Sequence, residues 1–378
     1  MEHEELAGWL RLVLTPGIGN STARRLLAAF GLPEAVFGQS ATALGQLLTG
    51  SQIKSLHTEP PHLAAQLAVA WHWLNGDDGP GQRRILSLGD ADYPPDLLHI
   101  EDPPTMLYLT GVSSVSWPAA IAVVGSRNPT PQGLANARQF ARSFAQAGFS
   151  VVSGLALGVD GASHEGALEG AASDRIATVA VVGTGLARVY PRQHLALAHR
   201  IEEAGMIVSE YPIGTPPLGE NFPRRNRIIA ALSRGTVVVE AALQSGSLIT
   251  ARQAAEQGKD VYAIPGSIHS PQSRGCHALL KQGAKLVETA QDVLEDMRLP
   301  QGPQPLREPA AIAGNNDSDR TPEDRLLTAL GFDPVSLDAL VARTGVAPAW
   351  LQGQLLELEL QGKIARLPGG LFQRIAAA

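Results

Sequence analysis

The chain has 378 residues, a net charge of −6, and 44% hydrophobic and 17% charged residues. These totals predict two or three soluble globular domains with a sizeable core. The single cysteine, Cys276, excludes an internal disulfide framework, and no cluster has the spacing of zinc ligands. The acidic start lacks the basic region of a signal peptide, and the longest apolar run, Ile176–Val182, is too short to cross a bilayer. We therefore expect a cytoplasmic protein with no metal and no membrane partner.

The first region, residues 1–75, is predicted to be helical. The segment LTPGIGNSTARRLLAAFG contains a Gly-Ile-Gly turn, a Ser/Thr start signal and a helical run. This pattern is typical of a SAM-like or helix-hairpin-helix module, whose turn amides can contact a nucleic-acid backbone. Residues 1–117 carry six basic and twelve acidic side chains. That balance favours the alternative, a helical packing or interaction module.

A turn-rich break, GDDGPG, occupies residues 76–81. From Arg84 to Gly111, the short apolar strands ILSL and MLYL alternate with proline-rich loops. We interpret these strands as an extension that packs on the following domain.

From Ala119 onwards, predicted strands alternate with predicted helices. The strands are IAVVG, FSVVSG, ATVAVVG, MIVSE, TVVVE, DVYAIPG and AKLVE. Nearly continuous Val/Ile/Ala strands separated by helices indicate a mostly parallel sheet that is covered on both faces. The sequence therefore predicts an α/β, Rossmann-like doubly wound domain over residues 82–298, with its ligand beyond the carboxyl ends of the strands.

The last part of the chain is predicted to be a linker, 299–319, followed by a winged-helix-like domain, 320–378. The linker is rich in Pro, Gly, Asn and Asp. Three helical patterns and a hairpin come after it. The third helix carries Glu357 and Glu359, and no basic residue precedes Lys363. Because phosphates would repel such a helix, we expect this domain to be a protein-contact or regulatory module and not a DNA-binding one.

Three predicted strands end in turns whose composition favours the binding of an anion. The turns supply Gly125, Ser126 and Arg127; Ser153, Gly154 and Gly158; and Ser245, Gly246 and Ser247. The second turn precedes a helix for which we expect Asp160 as the N-cap. Glycine lets the backbone approach closely, and helix N-terminal amides and hydroxyls bind phosphate oxygens. Together the turns predict a phosphate-rich ligand.

That ligand is not expected to be a dinucleotide cofactor. None of the turns has the G-x-G-x-x-G spacing, and the closest pair, Gly183 and Gly185, is followed by Arg188 where the third glycine belongs. The second strand ends in Ser-Gly and not in the acid that would hold a ribose, and no Walker loop is present. We expect no cofactor.

The segment 222–254 gathers five arginines and no lysine. On a helix that begins near Pro223, the buried arc consists of Ile228, Ile229 and Leu232. Arg225 points into this arc, so it and Arg227 could pair with Glu210 and Glu240 at neighbouring strand ends, because a buried arginine needs a partner. Arg224 at the edge of the arc and Arg127 on a loop are the better candidates for ligand contacts.

These motifs together resemble the DNA-processing protein A (DprA/Smf) family. The matching runs are GSR at 125–127, SGLALGVDGASHEGAL at 153–168, GTGLARVYP at 183–191, SEYPIGTPP at 209–217, FPRRNRII at 222–229, SGSLITARQAAEQG at 245–258, AIPG at 263–266 and GCHALLKQGA at 275–284. They cover the whole predicted Rossmann-like domain in order. The helical start, the proline-rich strands and the winged helix also fit the family's layout.

The resemblance implies a non-enzymatic protein of natural transformation (competence). Such a protein binds incoming single-stranded DNA, protects it, loads the RecA recombinase for DNA recombination and forms a homodimer through the Rossmann-like domain. The implied DNA-binding residues are Gly125, Ser126, Arg127, Ser153, Gly154, Phe222, Arg224, Arg225, Asn226, Arg227, Ser245, Gly246 and Ser247. Phe222 offers a ring for base stacking. The alternative for Phe222 is a staple residue at the helix start.

Three further expectations follow from the resemblance. Related proteins often carry a lysine where this chain has Gly219, so its phosphate contacts depend more on Arg127 and Arg224. We expect the homodimer contact within Ser273–Leu286, with ordinary packing on the sheet as the alternative. An enzyme, a nucleotide phosphoribohydrolase of the lysine-decarboxylase-like group, is the alternative function. The corresponding turn lacks that group's glutamate, since its first acid is Glu256.

Overall fold

The structure is a computed structural model that describes residues 1–76, 79–112, 116–297 and 322–375. The expected linker, 299–319, lies outside the described residues. The chain begins with six helices. They are α1 (His3–Leu14), α2 (Asn20–Phe30), α3 (Pro33–Phe37), α4 (Ala41–Leu44), α5 (Gly50–His57) and α6 (Leu63–Asn75).

A nine-stranded sheet forms the centre of the protein. Its strands are β1 (Gln82–Ser87), β2 (Met106–Gly111), β3 (Ala120–Val124), β4 (Ser150–Ser153), β5 (Thr178–Val181), β6 (Met206–Ser209), β7 (Gly235–Val238), β8 (Asp260–Ala263) and β9 (Lys285–Leu286). Their order is β1-β2-β6-β5-β4-β3-β7-β8-β9. All neighbours from β6 to β9 are parallel, whereas β1 pairs antiparallel with β2 and β2 with β6. The predicted mostly parallel sheet is confirmed.

Helices cover both faces of the sheet. They are α7 (Pro131–Gln146), α8 (Val159–Gly170), α9 (Leu195–Ala204), α10 (Asn221–Ala231), α11 (Ser247–Glu256), α12 (Arg274–Lys281) and α13 (Ala290–Met297). Apolar residues of α7 and α13 pack with Ile121 and Val123 on one face, and those of α10, α11 and α12 pack with Ala122 and Val124 on the other. Residues along β3 belong alternately to the two cores because successive side chains of a strand point to opposite faces of the sheet.

Helices α7 and α8 pack unusually closely. A Cβ added to Gly166 or Gly170 would overlap the backbone carbonyl of Arg138 or Arg142 on α7. The two glycines are four residues apart and so lie on the same face of α8. Their lack of a side chain is therefore what brings the two helices into contact above the sheet.

The strands β1 and β2 belong to the central sheet itself. The expectation that they form an extension packed on the next domain was wrong, because the β2 backbone pairs directly with β6. Side chains of α1 and α6, including Leu10 and Trp73, share a core with Ile85 and Tyr108 of these strands. The helical start and the sheet are thus joined through a common apolar cluster.

The Gly-Ile-Gly turn before α2 is engaged within the chain. Gly17 has φ +82, a backbone conformation that favours glycine, and its carbonyl accepts a hydrogen bond from Gln52 Nε2 at 2.9 Å. At the start of α2, Asn20 and Arg24 donate to Asp102 at 3.3 and 3.1 Å. These contacts support the packing interpretation of the helical module.

The C-terminal unit is a winged helix, as predicted. It consists of α14 (Pro322–Leu330), β10 (Val335–Ser336), α15 (Leu337–Thr344), α16 (Pro348–Leu360), β11 (Ile364–Leu367) and β12 (Leu371–Arg374). The three strands form an antiparallel sheet in the order β10-β12-β11. The core contains leucines of all three helices together with Val335, Ile364 and Phe372. Among the described residues, no helix is long and apolar enough to cross a membrane.

Candidate functional site

A cleft opens at the carboxyl ends of the parallel strands, between β3 and β7. Connections run in opposite directions from these two neighbouring strands, since β3 leads towards β4 and β7 towards β8. Such a switch point is where doubly wound sheets bind ligands. The cleft has a volume of about 610 Å³. Its lining includes Gly125, Ser126, Arg127, Asn128, Asp160, Gly219, Phe222, Arg225, Asn226, Ser245, Gly246, Ser247 and Gln272.

The loop after β3 is anchored to the end of β7. The carboxylate of Glu240 accepts hydrogen bonds from Thr130 N at 2.9 Å and from Thr130 Oγ1 at 2.6 Å. Thr130 in turn caps α7 by accepting from Gly133 N. Gly133 must lack a side chain, because a Cβ there would lie 2.5 Å from the Glu240 carboxyl carbon. This clamp fixes the two ends of the switch point relative to each other.

Burial raises the pKa of the Glu240 carboxyl, and its hydrogen bonds from Thr130 oppose that rise. Sequence reasoning expected Glu240 to pair with an arginine. That expectation was wrong, since its partner is the start of α7. Glu240 therefore acts on the loop that carries Arg127 and not on the arginine helix.

Arg225 is the buried centre of the site, with only 4% of its surface exposed. Its Nη1 donates to the carbonyl oxygen of Gly154 at 2.6 Å and to that of Val181, and its Nε donates to Asn226 Oδ1 at 3.0 Å. The prediction that it is buried is confirmed, but the predicted pairing with Glu210 or Glu240 was wrong. Arg225 instead binds the carbonyls at the ends of β4 and β5.

Asp160 faces this arginine at the base of the cleft. Burial lowers the pKa of Arg225 to about 10, and the nearby Asp160 charge opposes the change. Burial likewise raises the pKa of Asp160, with Arg225 opposing. The N-cap of α8 is Gly158 and not Asp160. Asp160 lies in the first turn of that helix, and its Oδ2 accepts from Ala156 N at 3.3 Å.

The turn between β4 and α8 contains a residue in the left-handed region, Leu155, with φ 57. Non-glycine residues rarely adopt this conformation. Two histidines hold it: the Leu155 N–H donates to His164 Nε2 at 3.3 Å, and His194 Nδ1 donates to the Leu155 carbonyl at 3.0 Å. The turn is thus fixed on both sides of one buried residue.

His164 is a neutral, fully buried histidine. Thr178 Oγ1 gives its hydrogen to the Val151 carbonyl at 2.6 Å, so it accepts from His164 Nδ1 at 2.7 Å. Nε2 is then free to accept from Leu155. Burial, with smaller contributions from the neighbouring charges of His194 and Arg225, lowers the pKa of His164 to about 3.

Arg227 faces away from the cleft. Its Nη2 lies 2.5 Å from Glu210 Oε2 and 3.5 Å from Asp102 Oδ2. The predicted pairing of Arg227 with Glu210 is confirmed. Because Asp102 also binds Asn20 and Arg24, this carboxylate connects α2 to α10.

The loop after β7 meets α10 through Asn226. Asn226 Nδ2 donates to the Gly246 carbonyl at 3.2 Å. Within the loop, the hydroxyls of Ser245 and Ser247 lie 2.7 Å apart, and Ser247 N donates to Ser245 Oγ at 3.3 Å. The loop leads directly into α11. These hydroxyls and the first amides of α11 are donors of the kind that bind phosphate oxygens.

Phe222 forms the rim of the cleft with two neighbours. The Arg127 guanidinium lies 5.8 Å from its ring centroid, and the ring of Tyr190 lies 5.6 Å away at an angle of 38°. Tyr190 keeps 46% of its surface exposed. The predicted helix start near Pro223 agrees with the observed start of α10 at Asn221, which makes Phe222 the second residue of the helix and not the staple residue before it.

The predicted site residues thus divide into three groups. Nine of them line the cleft: Gly125, Ser126, Arg127, Phe222, Arg225, Asn226, Ser245, Gly246 and Ser247. Ser153 and Gly154 are buried beneath it, where Ser153 Oγ donates to the Val123 carbonyl at 2.7 Å. Arg224 is exposed beside the cleft, and Arg227 points away from it.

Sequence reasoning missed Tyr190 at the rim and Gln272 in the lining of the cleft. Tyr190 lies in the quoted run GTGLARVYP, and its place in that matching run was the one signal that could have identified it. Gln272 donates to the Asn128 carbonyl at 3.1 Å across the cleft; no local motif marks that contact. In the described ranges, no group of three or more His, Cys, Asp or Glu is arranged to hold a metal.

The fold and the cleft define a Rossmann-like protein with a glycine- and serine-lined cleft at its switch point, extended by a helical module and a winged helix. Residues 84–298 match the family model of the DNA recombination-mediator protein A, and residues 308–370 match that of the DprA winged helix domain. The chain belongs to the DNA recombination-mediator protein A (DprA/Smf) family. The family expected from the motifs is confirmed.

Individual relatives agree with this assignment. Protein Smf of Escherichia coli is 42% identical over 284 residues, which cover 74% of each chain. The X-ray structure of DNA processing protein A from Streptococcus pneumoniae has a TM-score of 0.63 at 33% identity, covering 78% of this chain and 98% of that one. A structure of the Helicobacter pylori protein, described for its single-stranded DNA binding mode, has a TM-score of 0.51 at 30% identity and covers 57% and 95%.

Proposed function

We propose that the chain binds single-stranded DNA along the cleft between β3 and β7. The observation that carries the proposal is the rim where Phe222 lies between Arg127 and Tyr190, on the cleft that the Ser245–Ser247 loop also lines. Aromatic rings next to cationic side chains are what sequence-independent single-strand binding requires. The Helicobacter pylori relative, whose structure is described for its single-stranded DNA binding mode, supports this choice of ligand.

Different residues of the site would bind the phosphates and the bases of the DNA. Arg127 and Arg224 are exposed, and among the described residues neither has an ion-pair partner, so both are available to phosphates. Ser126, Ser247 and the first amides of α11 add hydrogen-bond donors. Phe222 and Tyr190 offer ring faces to the bases. Because phosphate contacts and stacking carry no sequence information, the binding would tolerate any sequence.

The buried part of the site makes this surface rigid. Arg225 ties the ends of β4 and β5 to α10, and Asn226 ties α10 to the Ser245–Ser247 loop. Ser153 and Gly154 act through that network and not by touching DNA. A preorganised surface loses less conformational entropy when a ligand binds.

We propose the remaining family functions on the same basis. The chain would protect incoming DNA during natural transformation in the cytoplasm and load the RecA recombinase onto it. The helical module 1–75 would pack and support, the sheet domain 82–298 would hold the DNA, and the winged helix 320–378 would contact protein. The acidic α16 supports the last assignment, since Glu357 is exposed and no basic residue lies between Pro348 and Leu360.

The homodimer contact that we propose within Ser273–Leu286 exposes little apolar surface. Cys276 and Leu279 are buried in the core and Leu280 packs against it, which matches ordinary packing on the sheet. Leu286, on the edge strand β9, keeps 55% of its surface exposed. Leu286→Glu would therefore be expected to give folded monomers. Sedimentation that finds the unaltered chain already monomeric at micromolar concentration contradicts the proposal.

We propose that the chain is not an enzyme. Among the described residues that line the cleft, Asp160 is the only acid, and it is held by Ala156 and faces Arg225. Glu256, the first acid after the Ser245–Ser247 turn, lies at the far end of α11. Release of ribose 5-phosphate from purine monophosphates would establish the phosphoribohydrolase alternative instead.

The experiment that tests DNA binding uses the full chain, because β1 and β2 belong to the sheet and a fragment starting at 118 would lack them. Fluorescence anisotropy with single-stranded and double-stranded oligonucleotides over a salt series gives both affinity and salt dependence. The expected result is preference for single strands, with affinity that falls as salt rises. No preference for single strands, or binding independent of salt, would overturn the proposal.

A further inference from the structure

The third helix of the winged helix, α16, has an apolar outer face. It buries Leu351, Leu355 and Leu358 in the core of the unit. On its other side, Trp350, Leu356 and Leu360 expose 44%, 58% and 82% of their surfaces. Large apolar side chains that collect on one exposed helix face mark an interaction surface. The described residues of the chain leave this face uncovered.

Gly353 lies at the centre of the same face. A Cβ at this position would meet no atom within 4 Å, so nothing inside the chain requires glycine there. Glycine in a helix interior costs about 1 kcal/mol relative to alanine. A residue that weakens the helix and lies between exposed apolar neighbours allows another helix to approach closely.

The face is self-complementary about Gly353. Trp350 comes three residues before it and Leu356 three residues after it. We propose that two copies of this chain associate through α16, antiparallel, with a two-fold axis at Gly353. Trp350 of each copy then packs on Leu356 of the other, which is the reciprocal pairing that a two-fold interface demands. Leu360, seven residues after the axis, lies over the start of the facing helix.

Charges on α16 agree with this arrangement. Glu357 is four residues beyond the axis and so faces Ala349, in the first turn of the other helix. The N-cap there is Ala347, which supplies no side-chain hydrogen bond. The free N–H groups of a helix start attract a carboxylate. The two Glu357 side chains are eight residues apart along the axis, or about 12 Å, so they do not repel strongly.

A nucleic acid is a poorer occupant of the face. Between Pro348 and Leu360 the helix has two acidic residues and no basic one. The apolar stretch from Trp350 to Leu360 is about 15 Å long, so the contact is smaller than the roughly 1,200–2,000 Å² of stable interfaces. Association through α16 is therefore weak by itself and is best detected by trapping.

Cysteine cross-linking in the full chain tests the proposal. The one native cysteine, Cys276, is buried and its thiol pKa is raised to about 12 by that burial, so it stays unreactive. Gly353→Cys places a thiol beside the two-fold axis. Gln361→Cys is the matched control, exposed at the C-cap of the same helix but about 24 Å from its counterpart in the proposed pair. A disulfide requires Cα atoms within about 7 Å.

The expected result is a disulfide-linked dimer with Gly353→Cys under mild oxidation and little with Gln361→Cys. Adding Trp350→Ala to Gly353→Cys should reduce the dimer yield by about fivefold or more, since exposed tryptophans dominate small contacts. Equal yields for the two cysteines, or a yield unaffected by Trp350→Ala, would overturn the proposal. A dimer through Ser273–Leu286 should raise the yields of the Gly353→Cys and Gln361→Cys cross-links by the same factor. The ratio of the two yields would then not change.

Discussion

The Nη1 atom of Arg225 lies 2.6 Å from the carbonyl oxygen of Gly154, and its guanidinium fills the space where a side chain at position 154 would be. The turn that follows β4 therefore leaves room for the side chain of an arginine that comes 71 residues later in the chain. Nine of the thirteen candidate DNA-binding residues line the cleft above this contact.

Gly154→Ala should destabilise the protein by about 1–3 kcal/mol, the usual cost of overpacking a core. The added Cβ overlaps the Arg225 guanidinium, so Arg225 has to move and its hydrogen bonds to the strand ends are lost. Urea denaturation measures the change. Gly246→Ala is the matched control in the same cleft, because its Cβ meets nothing within 4 Å. Equal losses in the two variants would show that Arg225 adapts.

Removal of the buried Arg225 or of the partly buried Arg227 should be costly for different reasons. Arg227→Ala leaves Glu210, only 10% exposed at its side chain, without its main partner, and should lower stability by about 3–5 kcal/mol. Replacing Glu210 by Gln in the same variant should recover part of that loss. Arg225→Ala should cost a similar amount through Asp160 and the strand-end carbonyls, without recovery from Glu210→Gln. Recovery in both backgrounds would contradict the observed pairing.

Arg127→Ala and Arg224→Ala should weaken single-strand binding nearly equally for all sequences. Each loss should flatten the dependence of log affinity on log salt by about 0.7, the value for one neutralised phosphate of a single strand. Phe222→Ala and Tyr190→Ala should cost about 1–3 kcal/mol per stacked base without changing the salt slope. Anisotropy over a salt series measures both quantities. Unchanged slopes for both arginine variants would move the DNA away from this cleft.

Glu240→Ala should reduce DNA affinity more than expected for a residue that does not line the cleft. Its carboxylate holds Thr130 and thereby the loop that carries Arg127. Glu240→Gln keeps one acceptor for Thr130 and should retain most of the affinity. Glu256→Gln, exposed at the end of α11, is the control. If Glu240→Ala binds single strands like the unaltered chain, the loop does not need the clamp.

Stability should fall as the pH is lowered from about 6.5, with His164 as a principal cause. Its folded pKa of about 3 lies below the ordinary value of 6.5, so between these values the unfolded chain binds a proton that the folded chain does not. Each such proton changes the unfolding free energy by about 1.4 kcal/mol per pH unit. Denaturation of the unaltered chain and of His164→Gln from pH 4.5 to 7 measures the difference.

The raised pKa values of Asp160 and Glu240 act in the opposite direction, since a folded carboxyl that keeps its proton loses stability as the pH rises through its window. Both groups are present in the two proteins, so the difference in slope isolates His164. Identical slopes for the two proteins would show that His164 is protonated in the folded state.

The sheet was predictable from the sequence because its strands are short apolar runs separated by amphipathic helices. The switch-point turns at Gly125 and Ser245 were identifiable for the same reason, since glycine and serine follow directly after such strands. The placement of β1 and β2 was not, because antiparallel addition at an edge leaves no local signal. The partners of Arg225 could not be predicted either. Two of them are backbone carbonyl oxygens, which every residue type carries.

Asp102 lies on a loop, 45% exposed at its side chain, between Arg24 of α2 and Arg227 of α10. It therefore contacts two elements at once: the N-terminal helices and the helix that carries Phe222. By thermodynamic reciprocity, if a protein that docks on α2 shifts this shared carboxylate and changes the affinity for DNA, then DNA changes the affinity for that protein by the same factor. A single aspartate outside the cleft thus joins the supporting helical module to the helix that carries part of the cleft lining.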